Sequence, residues 1–149
     1  MNLKKLFWLI VPFFCIFFVS CGKSDNLIPD VYVNFEINLN FPQYKNLSIP
    51  GGYAYFSGGN AGIFVYNFNG TKFYAFDRAC TENTSDTPLV FNEKTLCLNH
   101  SDTTENCNSQ YNVLLHGAVS YGSAKYALKE YNTVYSTNSG ILKVYNNIY

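Results

Sequence analysis

Beyond residue 25, no stretch of the chain repeats its apolar residues at a helical period, while alternating or short apolar runs bounded by turn residues recur throughout. Residues 31–39 alternate apolar and polar side chains, the pattern of a half-buried strand. Ile49-Pro50-Gly51-Gly52 reads as a turn, 53–56 as a short strand, and Ser57-Gly58-Gly59-Asn60 as its close. Residues 62–66 are apolar throughout and predict a central strand. Asn69-Gly70 predicts a tight hairpin turn, since both residues tolerate positive φ, with 72–76 as the return strand. The stretch 77–110 is long and irregular but holds a hairpin, 89–91 and 95–98 around Asn92-Glu93-Lys94. Strands at 111–115 and 118–120, a turn at His116-Gly117, and a last hairpin of 128–135 and 141–145 follow. Short strands with turn signals at this spacing predict an all-β chain, a small antiparallel β-sandwich or barrel. The chain has thirteen Tyr and thirteen Phe; those beyond residue 20 agree, since aromatic residues suit half-buried strands better than helices.

The first 20 residues are not part of that fold. Lys4 and Lys5 form a short basic start, and residues 6–19 are an uncharged apolar run interrupted by Pro12. Fourteen residues are too few to cross about 30 Å of hydrocarbon comfortably as a helix, but they have the length of a signal-peptide core. Ser20-Cys21-Gly22 follows at once. This resembles the lipobox of bacterial lipoproteins, which implies cleavage before Cys21 and acylation of its thiol. Two or more acyl chains make such an anchor stable. The other reading of the same residues is an ordinary signal peptide, with Cys21 as a structural thiol. Domain boundaries follow: signal 1–20, polar tether 21–30, one β domain 31–149. The expected location is the bacterial cell envelope, at its periplasmic face or the cell surface, with the membrane as partner through the N-terminal lipid.

Losing Lys4 and Lys5 with the signal leaves eight cations against ten anions, a net charge of −2 on 129 residues. With no basic patch, nucleic-acid binding has no electrostatic support. No nucleophile-elbow motif and no matched carboxylate pair supports a hydrolase. Setting aside Cys15 in the signal and Cys21, three cysteines remain, Cys80, Cys97 and Cys107. An odd number in an oxidising compartment leaves one disulfide plus a free thiol, or a metal site, both open.

An ordered series of segments between residues 51 and 145 resembles the Rieske iron–sulfur domain, in the form found in small bacterial lipoproteins. Residues 62–66 match the strand before the first cluster hairpin. Phe73-Tyr74-Ala75-Phe76-Asp77-Arg78-Ala79-Cys80-Thr81 matches the run into the first cluster-binding loop. Asn108-Ser109-Gln110-Tyr111-Asn112-Val113 matches the exit from the second, and Gly122-Ser123-Ala124 to Tyr131 the Gly-Pro-Ala…Pro-Leu segment beside the cluster. The resemblance implies a Rieske-type β-sandwich or barrel with an inserted, loop-rich cluster-binding region.

A Rieske [2Fe–2S] cluster takes two thiolates on one iron and two imidazoles on the other. The family supplies them as C-x-H and C-x-x-H. Here the first loop reads Cys80-Thr81-Glu82, so a carboxylate stands at an imidazole position. The second loop admits two alignments. The preferred one puts Cys107 at the imidazole position and Thr104 at the thiolate position. The other reads Cys97-Leu98-Asn99-His100 as C-x-x-H, with an insertion after it. Neither gives two Cys and two His, and Ser123 and Ala127 replace the family's prolines. A mixed site of Cys80, Cys97, His100 and Cys107 is chemically possible for [2Fe–2S] or zinc. Of the two histidines, His100 reads as a solvated loop residue and His116 as a surface turn residue.

The resemblance therefore implies a fold that has kept its two loops and lost its cluster, with a Cys80–Cys107 disulfide stapling them and Cys97 free or an alternative partner. No cofactor is expected; an atypical [2Fe–2S] is the alternative. The expected role is a non-enzymatic binding or structural one, and the alternative is an electron-transfer lipoprotein with a redox partner.

Overall fold

A computed structural model describes residues 28–83, 87–100 and 107–147; the expected signal peptide and Cys21 lie outside them. Among the described residues there are ten strands: β1 (Asn34–Asn38), β2 (Tyr53–Phe56), β3 (Ile63–Asn67), β4 (Phe73–Asp77), β5 (Val90–Asn92), β6 (Cys97–Asn99), β7 (Gln110–Asn112), β8 (Ala118–Tyr121), β9 (Glu130–Ser136) and β10 (Ile141–Tyr145). The protein is all-β. A six-stranded sheet runs β1-β10-β9-β4-β3-β2, and a four-stranded sheet runs β5-β6-β7-β8. Every pairing is antiparallel. The smaller sheet is one insertion between β4 and β9, which themselves pair through Ala75↔Tyr131 and Phe76↔Glu130.

The larger sheet is curled. Its edges, β1 and β2, share no ladder, yet Phe35 and Phe56 meet across them with ring centroids 5.4 Å apart. β3 and β4 are the reason that both layers hold. In a strand, successive side chains face opposite sides. Ile63, Val65, Phe73 and Ala75 enter one cluster, with Ile37, Leu47, Leu142 and Val144 inside the curl. Phe64, Tyr66, Tyr74 and Phe76 enter the other, with Leu89, Phe91, Leu98 and Tyr111 of the inserted sheet and its approach. All five residues of each strand are buried, so both strands read as continuous apolar runs rather than alternating ones. Each large apolar side chain buried this way contributes about 1.5–3 kcal/mol relative to exposure.

Three local expectations change. Residues 113–115 form a 3-10 turn (Val113–Leu115) rather than a strand, because the Asn112 side chain accepts the Leu114 and Leu115 N–H groups and draws the backbone round. The hairpin after β3 is longer than two residues: Phe68 N–H donates to Lys72 O at 2.9 Å, and Gly70, not Asn69, takes the positive φ. Asn69 serves through its side chain, which accepts from Thr71 N–H, Thr71 Oγ1 and Lys72 N–H. The strand read at 31–39 is shorter, and it pairs with the last strand, β10.

Residues 28–30, the far end of the expected tether, lie against the body. Ile28 is buried. Pro29 O accepts from Lys129 Nζ at 2.8 Å and Asn60 Nδ2 at 3.0 Å, and Asp30 pairs with Lys129 at 2.8 Å.

Candidate functional site

The first loop leaves β4 at Asp77, whose buried carboxylate fixes the exit. Tyr131 O–H donates to it at 2.7 Å, Asn60 through N–H at 2.7 Å and Nδ2 at 3.1 Å, Ala61 N–H at 3.2 Å, and Ala79 N–H at 2.9 Å. Burial, together with the hydrogen bond to Asp77, holds the Tyr131 phenol far above its ordinary pKa. Three residues on, the loop reaches Cys80. The second loop returns to β7 through Cys107, and the two cysteines form a disulfide with Cα atoms 6.3 Å apart. Both are buried. This is the pairing that the resemblance implies.

Thr81 ties the disulfide to two further elements. Its N–H donates to Tyr111 Oη at 3.1 Å, and its hydroxyl donates to Tyr126 O at 2.6 Å. With the Thr81 proton committed there, the Tyr111 O–H is left to donate to Thr81 Oγ1, at 3.0 Å, and to Cys80 Sγ, at 3.4 Å. Glu82 N–H also donates to Cys80 Sγ at 3.4 Å. Burial pushes the Tyr111 phenol up.

Glu82, at the position that the Rieske resemblance assigns to an imidazole, sets its carboxylate in a cradle of donors. Ser109 Oγ donates to it at 2.8 Å, Ser123 Oγ donates to its other oxygen, and the Asn108 backbone contributes a third bond. Ser123 foremost, then Ser109, holds this carboxyl below its ordinary value of 4.5. A depressed folded pKa gives stability that is fully present above the unfolded value and lost as pH falls through the folded one. Thermal unfolding of wild type and Glu82→Gln between pH 6 and pH 3 (about 1.5 units either side of the free value) is therefore expected to diverge. Wild type should lose more of its melting temperature on acidification, and identical pH slopes would show that the cradle does not act on the carboxylate.

The Gly122-Ser123-Ala124 segment closes the site from the third side. Ala124 N–H donates to Ser109 Oγ at 2.9 Å. Gly122 has φ +101, and a Cβ there would lie 2.5 Å from Ser109 Cα and 2.9 Å from Asn108 O. Gly122→Ala is expected to cost on the order of 2–3 kcal/mol, from the positive φ and from overlap with backbone that cannot swing aside. A urea midpoint within error of wild type would refute that contact.

Among the described residues, the Cys80 and Cys107 sulfurs and a Glu82 carboxylate oxygen lie within 4.8 Å of one another. Cys97, His100 and His116 are not members of this group. Cys97 is a free, buried thiol in β6, 3.3 Å from Thr95 O and 3.4 Å from Ser120 Oγ. His116 has φ +55, is exposed, and its Nδ1 pairs with Glu130 at 3.0 Å. It lines a concavity of about 430 Å³ between β4 and β9, with Lys72, Tyr74, Asn132 and Tyr135. His100 departs from expectation. It is buried, and among the described residues neither ring nitrogen has a hydrogen-bond partner. It follows β6, which lies between β5 and β7 in the smaller sheet, and is not the solvated residue that local polarity suggests. With Cys107, Asn108 and Ser109 it lines a concavity of about 290 Å³.

A Rieske-type cluster does not fit this donor set. The two sulfurs are bonded to each other, the third donor is a carboxylate, and among the described residues no imidazole belongs to the group. Cys107, not Cys97, reaches the first loop; Thr104, the thiolate position of the ungapped alignment, lies outside the described residues.

Fold and site together define an all-β domain in which an inserted four-stranded sheet and the loop after β4 are stapled by a disulfide. No family model matches the chain, and no curated protein matches it. Among solved structures it is similar to the ferredoxin of carbazole 1,9a-dioxygenase from Nocardioides aromaticivorans IC177, at 17% sequence identity and a TM-score of 0.45, over 64% of this chain and 85% of that one.

Proposed function

We propose that the chain is a lipid-anchored cell-envelope protein whose Rieske-type domain serves a non-enzymatic binding or structural role, with a disulfide where that family carries its cluster. The observation that carries this reading is the Cys80–Cys107 bond beside Glu82, which itself occupies a cradle of hydrogen-bond donors. The sequence adds Ser20-Cys21-Gly22 after an apolar signal. The seven residue steps from Cys21 to the buried Ile28 reach at most about 25 Å. The Lys129–Asn60 end of the domain, where residues 28–30 dock, would then face the bilayer closely.

Two measurements test the two halves. Cells fed a labelled fatty acid are expected to label the wild-type chain and not Cys21→Ala; equal labelling would remove the anchor. Protein purified anaerobically from its native host is expected to be colourless, with neither iron nor acid-labile sulfide. A brown preparation, with the electron paramagnetic resonance of a histidine-ligated diiron centre, would replace the non-enzymatic reading with electron transfer.

A further inference from the structure

We propose that reduction of the Cys80–Cys107 disulfide converts this junction into a mononuclear site for a zinc-type divalent cation, held by two thiolates and the Glu82 carboxylate. The inference rests on the reading that these loops carry a disulfide in place of a cluster. Zinc binds sulfur at about 2.3 Å and carboxylate oxygen at about 2.0–2.2 Å, so its ligand atoms stand roughly 3.3–3.8 Å apart. The three atoms here already lie within 4.8 Å of one another, so closing round an ion needs the carboxylate oxygen to approach by about 1 Å and the released sulfurs to part by nearly 2 Å.

Two donors already face the Cys80 sulfur. A disulfide sulfur is a weak acceptor, yet Cys80 Sγ receives the Glu82 N–H and a share of the Tyr111 O–H, both at 3.4 Å. Such contacts strengthen when the sulfur is charged. Ser109 and Ser123 orient the third ligand, the part that outer partners play in metal sites. Reduction also leaves the loops pinned. Asp77 keeps its donors, Thr81 keeps Tyr126 and Tyr111, and Ala124 keeps Ser109. Two thiolates and one carboxylate suit a single borderline-soft ion, with the fourth position left to water.

The chemistry balances with a dithiol as reductant. The protein S–S bond takes two electrons and two protons from the dithiol, which closes to its own disulfide. The two protein thiols then release their protons to solvent as the cation binds.

Cobalt(II) is a spectroscopic stand-in for zinc. The mature chain, reduced anaerobically with dithiothreitol and desalted, is expected to bind one Co²⁺ with thiolate-to-cobalt charge-transfer absorption, while the oxidised chain gives none. Cys80→Ser and Cys107→Ser should each abolish that absorption. Glu82→Gln should weaken Co²⁺ binding by about tenfold or more. Circular dichroism before and after reduction should show the same fold. Loss of the fold on reduction, a folded reduced protein without charge transfer, or wild-type affinity in Glu82→Gln would each overturn the inference. Iron and sulfide in the protein as isolated would instead defeat the reading beneath it. An iron-free, disulfide-bonded protein that ignores cobalt after reduction would defeat the inference alone.

Discussion

Asp77→Ala is expected to destabilise the mature chain by about 3–5 kcal/mol, the largest loss from any single side chain described above. The carboxylate is fully buried and draws together the 60–61 turn, the start of the loop that leads to Cys80, and Tyr131 of β9. Truncation strands three backbone N–H groups and a phenol at once. Each orphaned donor costs about 1–3 kcal/mol, and partial hydration of the vacated space keeps the sum below simple addition. The packing there is close: a Cβ on Gly59 would stand 2.5 Å from Asp77 Oδ2 and 2.6 Å from Tyr131 Oη. A domain of this size has about 5–15 kcal/mol in total, so the melting temperature should fall by on the order of 15 °C. Tyr131→Phe removes one donor and leaves the carboxylate, and should cost about 1 kcal/mol. A loss below about 1 kcal/mol in Asp77→Ala would mean that water, not the protein, satisfies the carboxylate.

The second large effect is that of the disulfide. Cys80 and Cys107 are 27 residues apart. A loop of that length constrains the unfolded chain by about 3.5 kcal/mol in the chain-entropy treatment. Cys80→Ala/Cys107→Ala is expected to lose about that much. Much of this loss acts through the unfolded state, so the urea slope should steepen as the midpoint falls. Cys97→Ala, at a thiol that closes no loop, should cost only about 1–2 kcal/mol for the buried sulfur, with no change in slope. Equal slopes in all three proteins would remove the cross-link as the cause.

How much of this was visible in the sequence depends on whether the deciding interaction is local. The apolar runs of β3 and β4 announce strands covered on both faces, and the structure buries them between two clusters. The β5–β6 and β9–β10 hairpins lie next to their partners in sequence and could be read directly. The β1–β10 pairing joins opposite ends of the domain, and no local pattern encodes it. Val113–Leu115 looks like a strand because its residues are apolar, but one side-chain cap from Asn112 outweighs that preference. At the site, order along the chain marked out Cys80, Glu82, Ser109, Tyr111 and Ser123, and the structure brings them together. The roles of Asp77 and His100 were not legible. A lone Asp after a strand and a lone His in a polar stretch look like ordinary surface residues, and nothing in their immediate sequence marks them as buried.

Peptide mapping of the anaerobically purified chain, alkylated without reduction, bears on the junction itself. The peptides containing Cys80 and Cys107 are expected to emerge as one linked species, with Cys97 alone carrying the alkyl group. Three alkylated cysteines would show that the loops are not joined and would contradict the account of the junction.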